Sequence, residues 1–130
     1  MIIEVNNLVK APLSSNRIKK SILKFSNKLK QLRKLKEISV ALVGDKEIKK
    51  LNKNYRKINR VTDVLSFEDI NEIVICYPQA KRQAKEKKHS VKKEIEILLI
   101  HGLLHLAGYD HIKDKDAEVM EKLEKLLIKL

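Results

Sequence analysis

The sequence predicts an α+β protein in which helices pack on a small mixed sheet of about four strands. Runs of β-branched residues alternate along the chain with stretches whose apolar residues recur every three or four positions. Their order is strand, helix, strand, helix, two adjacent strands and further helices, which is typical of helices packed on one small sheet. The 130 residues suit one core, and a hydrophobic content of 43% argues against a disordered chain. We therefore expect residues 1–130 to form a single domain.

The first three elements precede residue 45. Residues 2–5 (IIEV) predict a short strand, after which Ser14 or Ser15 can cap a helix. Residues 16–34 predict that helix, because one apolar stripe runs along it: Ile18, Ile22, Phe25, Leu29 and Leu32. Its other positions are mostly Lys and Arg, which are either solvated or face RNA. Residues 37–43 (EISVALV) predict a core strand.

A second helix and a hairpin are predicted next. Asp45 can cap the helix, in which the apolar face consists of Ile48, Leu51 and Tyr55. Residues 61–67 and 70–77 predict two strands, and the short gap between them predicts that they pair as a hairpin.

The last third of the chain predicts mainly helices. Pro78 suits the first turn of a helix, and residues 79–93 form a polar, basic helix or loop in which we expect His89 to be solvated. Residues 94–107 predict the most apolar helix, which Gly108 can end in a left-handed conformation. Asp114 can cap a final helix whose buried stripe is Ala117, Met120, Leu123, Leu127 and Leu130.

Three histidines interrupt the apolar run near residue 100. His101 and His105 are four residues apart, so a helix presents both on one face. Gly108 allows the chain to turn back, so that His111 can reach the same point. Three imidazoles suit an open tetrahedral zinc site with water in the fourth position, and such water has a pKa of about 7. The spacing therefore predicts a zincin-like three-histidine site with one Zn²⁺ per chain.

Two features qualify this interpretation. Cys76 or Asp110 can supply a fourth ligand, which would make the site closed and structural. Gly102 stands where a zinc protease helix of the H-E-x-x-H type carries its general base, so a base would have to come from elsewhere. Gly102 also permits another backbone or a substrate to approach the helix closely.

Two motifs resemble those of a known family. HGLLHLAGYDH (101–111) matches H-G-x-L-H-L-x-G-Y-D-H of the YbeY endoribonuclease family, and NKNYRKINRVTDVLSF (52–67) resembles its N-x-x-Y-R and T-D-V-L-S-F segments. IVIC (73–76) resembles the strand that follows, so the resemblance runs from about residue 37 to the C-terminus. The chain departs from the pattern where Glu68 follows Phe67 and where residues 71–72 are Asn-Glu, because the family usually has proline and a G-D pair there.

The resemblance implies a zinc-dependent, single-strand-specific endoribonuclease. Its implied role is in the maturation of the 3′ end of small-subunit ribosomal RNA and in ribosome quality control. The implied metal ligands are His101, His105 and His111. Arg56 matches the family's functionally important arginine, and an arginine near the metal can clamp the scissile phosphate and stabilise transition-state charge.

Three further polar residues are candidates for a supporting role at this site. Asp63 and Ser66 can orient the histidines or a substrate, and strand alternation places them on opposite faces. Asp110 can fix a histidine tautomer or complete the turn after Gly108.

Composition narrows the class of partner. Lys and Arg number 29 against 17 Asp and Glu, and a net charge of +12 favours binding to a polyanion through its phosphates. Two Phe, three Tyr and no Trp are few for a base-stacking platform, so no further RNA-binding residues are assigned. We expect ribosomal RNA and the small ribosomal subunit as partners, with contacts to ribosomal proteins or assembly factors.

The chain lacks the features of a membrane or secreted protein. No apolar run reaches the roughly 18–20 residues of a membrane span, and the N-terminus lacks the pattern of a secretory signal. A single cysteine fits the reducing cytoplasm, where we expect the protein. Two alternatives stay open: a non-catalytic RNA-binding assembly factor with a structural metal, and a metallohydrolase of another substrate.

Overall fold

Four strands form the sheet in the described part of the chain. The computed structural model describes residues 1–109 and 114–129, and the side chains of residues 114–116 are outside that description. The strands lie in the spatial order β1-β2-β4-β3 and are β1 (Ile2–Asn7), β2 (Glu37–Val43), β3 (Val64–Phe67) and β4 (Glu72–Cys76). β1, β2 and β4 run parallel, whereas β3 runs antiparallel to β4. The predicted α+β class with a small mixed sheet is confirmed.

Five α-helices accompany the sheet within the same ranges. They are α1 (Ser15–Lys28), α2 (Asp45–Arg56), α3 (Tyr77–Lys87), α4 (Val91–Leu106) and α5 (Asp114–Ile128). Short 3₁₀ turns follow α1 (Lys30–Lys34) and join β3 to β4 (Glu68–Ile70). Among the residues described, no helix combines the length and apolarity needed to cross a membrane.

Each face of the sheet has its own core. Ile73 and Ile75 point from β4 toward α1 and α4, where they pack with fully buried residues such as Phe25 and Leu103. Val74 and Cys76 point to the other face and pack with Ile48 of α2. Burying each large side chain stabilises the fold by about 1.5–3 kcal/mol. The larger core is the one that positions α4 and its histidines.

The helix predicted over residues 16–34 is interrupted. α1 ends at Lys28, Leu29 is extended, and a five-residue 3₁₀ turn follows. This turn buries Leu32 completely, and the guanidinium of Arg33 donates to the carbonyl oxygen of Asn27 at 2.7 Å. The prediction of one continuous helix was wrong because the apolar spacing continues across the break.

The predicted hairpin is confirmed, but both strands are shorter than predicted. β3 begins at Val64, whose N–H donates to the carboxylate of Asp63 at 2.7 Å. The connection between the strands is the 3₁₀ turn followed by Asn71, whose φ is 49°.

α4 begins three residues before the predicted start. The hydroxyl of Ser90 accepts the backbone N–H of Lys93 at 3.1 Å, so Ser90 caps the helix and residues 91–93 form its first turn. The polar segment before it is the helix α3, which ends at Lys87 and is followed by Lys88 in a left-handed conformation with φ 57°. The final helix is confirmed as α5, in which Met120 and Leu127 are buried; Leu130 lies outside the described residues.

Candidate metal centre

α4 carries two histidines on one side. Gly102, Leu103 and Leu104 are buried between them, whereas His101 and His105 are only partly buried. The two imidazole rings meet edge to face, with centroids 4.7 Å apart and an interplanar angle of 68°. The prediction that a helix brings these two rings together is confirmed.

The two rings have a separation that suits a shared cation. Rings that bind one tetrahedral zinc ion through nitrogens about 2.0–2.1 Å from it have centroids about 5 Å apart. The observed 4.7 Å agrees with this value. The separation of the two helix histidine rings is therefore compatible with a shared zinc ion. His111 and Asp110 lie outside the described residues, so their roles stay predictions.

A carboxylate that the sequence did not single out contacts His101. Oε1 of Glu124 lies 3.0 Å from Nδ1 of His101, and the two side chains are 31% and 28% exposed. The sequence held one signal: Glu124 stands between Met120 and Leu127, which are buried along the apolar stripe of α5. Within the described residues, no group of three or more His, Cys, Asp or Glu side chains is placed to hold a metal.

Gly102 lies against the sheet at a point where a larger residue would be tightly packed. A Cβ at this position would lie 2.9–3.0 Å from three side-chain atoms of Ile73. A close approach at Gly102 was expected from another backbone or a substrate, but the neighbour in the structure is a side chain of strand β4. A glutamate base at position 102 would point into the sheet.

Cys76 is poorly placed to complete a metal site with the histidines. It is fully buried in the core on the α2 face, whereas α4 covers the other face. Its Sγ donates to the carboxylate of Asp45 at 3.3 Å. Burial and the nearby Asp45 raise the pKa of the thiol to about 11, so the metal-binding thiolate is disfavoured.

Asp63 and Ser66 occupy different surroundings. The carboxylate of Asp63 accepts the N–H of Val64 and lies 3.3 Å from the amide nitrogen of Gln83 in α3. Ser66 pairs with Ile73 across the hairpin and shares its face. Because Ile73 contacts Gly102, Ser66 lies on the side of the sheet that α4 covers.

A buried carboxylate holds α3 and α4 together. Glu94 is 0% exposed and accepts from Gln83 at 2.8 Å, from Lys87 at 3.2 Å and from Nε2 of His89 at 2.7 Å. Burial raises the pKa of Glu94, but these hydrogen bonds outweigh it and hold the pKa below its usual value. The expectation that His89 is solvated was wrong: the turn at Lys88 directs it to Glu94, and only 17% of its side chain is exposed.

Arg56 ends α2 and is exposed. Next to it, Tyr55 is 67% exposed, and its ring lies 4.9 Å from that of Phe67 at 69°. The exposed side chains along α2 and in the loop after it are largely basic: Lys46, Lys49, Lys50, Lys53, Lys57 and Arg60.

The comparisons with known proteins agree with one another. The family model described as "Endoribonuclease YbeY" matches residues 4–130. A relative called Endoribonuclease YbeY in Finegoldia magna is 45% identical over 103 residues, which cover 72% of this chain and 67% of that protein. Another of the same name in Dehalococcoides mccartyi is 34% identical, and the match covers 97% and 95% of the two chains. The solution structure of a Thermotoga maritima protein is similar with a TM-score of 0.71 and 33% identity, over 98% of this chain and 87% of that one.

The fold and the site define a class: small α+β proteins in which a helix with two facing histidines packs on a mixed sheet. Within that class, the chain belongs to the YbeY endoribonuclease family. It is therefore an enzyme of the nuclease class of hydrolases.

Proposed function

We propose that this protein is a zinc-dependent, single-strand-specific endoribonuclease that acts on ribosomal RNA. Its proposed roles are maturation of the 3′ end of small-subunit ribosomal RNA and ribosome quality control. The observation that carries the proposal is the facing pair His101 and His105, 4.7 Å apart, in a chain of the YbeY endoribonuclease family.

The proposed zinc ligands are His101, His105 and His111. A bound zinc ion supplies Lewis acidity and lowers the pKa of water. The contribution of this chain is to hold the imidazoles at a fixed separation. α4 does so because residues four apart face the same side of a helix, and the contact of Gly102 with Ile73 places that helix on the sheet.

Arg56 is proposed to bind the scissile phosphate. A guanidinium donates two parallel hydrogen bonds to phosphate oxygens and stays charged through the reaction, so it can stabilise the extra negative charge of the transition state. Its position at the end of a helix with many exposed lysines supports this role, because the net charge of +12 attracts the RNA backbone.

The preference for single strands is supported by Tyr55. A T-shaped contact with Phe67 covers at most one face of the tyrosine ring, and 67% of the residue is exposed. An unpaired base can stack on such a ring, whereas a base inside a duplex cannot.

The proposed partner is the small ribosomal subunit, with contacts to ribosomal proteins or assembly factors, and the proposed location is the cytoplasm. The reduced, buried Cys76 supports a reducing compartment, and the excess of basic residues supports a partner rich in phosphate.

Parallel purification of four proteins tests the proposal. Cleavage of a single-stranded ribosomal RNA fragment is measured for the wild type, His105→Ala, Arg56→Ala and Arg17→Ala. We expect the first two variants to lose activity at least about 100-fold, because each removes a group that acts in the transition state. Arg17→Ala removes the same charge from α1, so it measures the general electrostatic effect of one positive charge and should lose far less activity than Arg56→Ala.

Equal cleavage by all four proteins would reject the catalytic proposal. If, in addition, removal of metal unfolded the wild type, the assembly factor with a structural metal would be the better interpretation. Cleavage of a different substrate class by the wild type alone would favour the other metallohydrolase.

A further inference from the structure

Glu124 of α5 faces the proposed metal centre from outside the histidine motif. We infer that Glu124 is a positioning residue that fixes the ring orientation and the tautomer of His101, so that its Nε2 is the nitrogen that binds the cation. This inference rests on the proposed function, because it assigns a role within the proposed zinc site. The carboxylate is 23 residues from His101 in sequence and 3.0 Å from it in space.

The chemistry of the contact determines the tautomer. An ionised carboxylate only accepts hydrogen bonds, so Nδ1 of His101 must carry the proton that the contact requires. In the neutral ring the lone pair is then on Nε2. A carboxylate on the other ring nitrogen also makes the imidazole a stronger base and a better metal ligand.

The surroundings favour a specific contact over a chance one. Glu124 stands in the row of α5 that contains the buried residues Met120 and Leu127, where packing alone would select an apolar side chain. The nearby Glu121 has a different partner, because it lies 3.2 Å from the ammonium of Lys125. Glu124 pairs with a partly buried imidazole although the chain is rich in lysine.

An apolar groove next to the contact strengthens it. The groove runs between α4 and α5 and is lined by Ile97, Ile100, Glu121, Glu124, Lys125 and Ile128. Isoleucines beside the carboxylate lower the local dielectric constant, and a charge-assisted hydrogen bond is stronger there than in water. Met120 and Leu127 hold α5 against α4, because both are buried in the core that contains the apolar residues of α4.

Zinc affinity tests the inference without reference to RNA cleavage. Metal-free wild type, Glu124→Ala, Glu124→Gln and the control Glu121→Gln are titrated with Zn²⁺ in competition with a chromophoric chelator. We expect Glu124→Ala to bind zinc about 10–100-fold more weakly. Glu124→Gln should lose less, because its amide oxygen still accepts from Nδ1 but without the charge. Glu121→Gln should bind like the wild type.

The tautomer gives a second readout that a merely structural role would not change. Nitrogen NMR of His101 in metal-free protein at mildly alkaline pH should show the proton on Nδ1 in the wild type and in Glu121→Gln. In Glu124→Ala the proton should move toward Nε2. Circular dichroism of each variant shows that it is folded, and Glu124→Gln, which keeps the side-chain shape, serves if the alanine variant unfolds.

The outcomes separate the two proposals. Wild-type zinc affinity in both Glu124 variants, or an unchanged tautomer in Glu124→Ala, overturns the role of Glu124 and leaves the zinc proposal standing. Failure of the wild type itself to bind zinc overturns both.

Discussion

Replacement of Glu94 by glutamine should destabilise the protein strongly, although the two side chains have nearly the same shape. The carboxylate is 0% exposed and receives hydrogen bonds from Gln83, Lys87 and His89. Glutamine would place an NH₂ group opposite one or more of these donors and remove the negative charge beside Lys87. The perturbation therefore leaves buried polar groups unpaired instead of merely removing a contact.

The magnitude follows from the number and the burial of these partners. A hydrogen bond to a charged group contributes about 1.5–3 kcal/mol, and breaking a buried ion pair costs about 3–5 kcal/mol. Lys87 is 50% exposed, so its ammonium group stays hydrated without the carboxylate, and its contribution to the loss of stability is small. His89 is 17% exposed and cannot do so fully. We expect Glu94→Gln to lower the free energy of unfolding by about 2–4 kcal/mol.

Chemical denaturation followed by circular dichroism measures this change. The matched control is Glu86→Gln, which removes the same charge from an exposed position of α3 and should change stability by less than about 0.5 kcal/mol. A change for Glu94→Gln as small as that of the control would refute the buried network as a source of stability.

The same carboxylate predicts a dependence on pH. Its pKa is lowered in the folded protein, so its contribution is complete above the ordinary value of 4.5 and is lost as the pH falls through the lower folded value. Wild-type stability should therefore fall in this acidic range, and Glu94→Gln should fall less steeply. If the free energy of unfolding fell equally with decreasing pH in both proteins, Glu94 would not be the source of this pH dependence.

Two further predictions concern the packing of α4 and the RNA surface. Gly102→Ala should lower the free energy of unfolding by about 1–3 kcal/mol through overpacking against Ile73, and by less in an Ile73→Ala background. Chemical denaturation of the wild type, both single variants and the double variant measures the two differences. An equal loss in both backgrounds would show that Ile73 is not the obstacle. Tyr55→Ala should weaken binding of a single-stranded oligonucleotide by about 1–3 kcal/mol in fluorescence anisotropy, whereas Tyr55→Phe keeps the ring and should bind like the wild type. Equal binding by both Tyr55 variants would exclude a stacking role.

The elements whose signal is local were predictable from the sequence. Adjacent β-rich runs predicted the hairpin of β3 and β4, and a four-residue spacing predicted that His101 and His105 share one face. In both cases the periodicity of the backbone itself decides which side chains meet, so a short window of sequence holds the whole argument.

Errors arose where the local pattern stayed the same while the backbone changed. The apolar spacing continues through Leu29, but the backbone breaks there and the following 3₁₀ turn buries Leu32. His89 sits in a run of lysines, yet a left-handed turn at Lys88 brings it to Glu94. Local charge and apolar spacing indicate whether a side chain favours solvent or the core. A nearby turn can still place that side chain in the opposite environment.

The sequence by itself determined the class of fold, the hairpin and the paired imidazoles, because each depends on residues a few positions apart. Only the tertiary structure decided which carboxylates reach which rings: Glu124 contacts His101 because α5 packs along α4, and Glu94 is buried because α3 closes over it. The first of these contacts joins residues 23 positions apart, and its distance depends on how two helices pack. Such packing is set by the whole core, so no short stretch of sequence contains it.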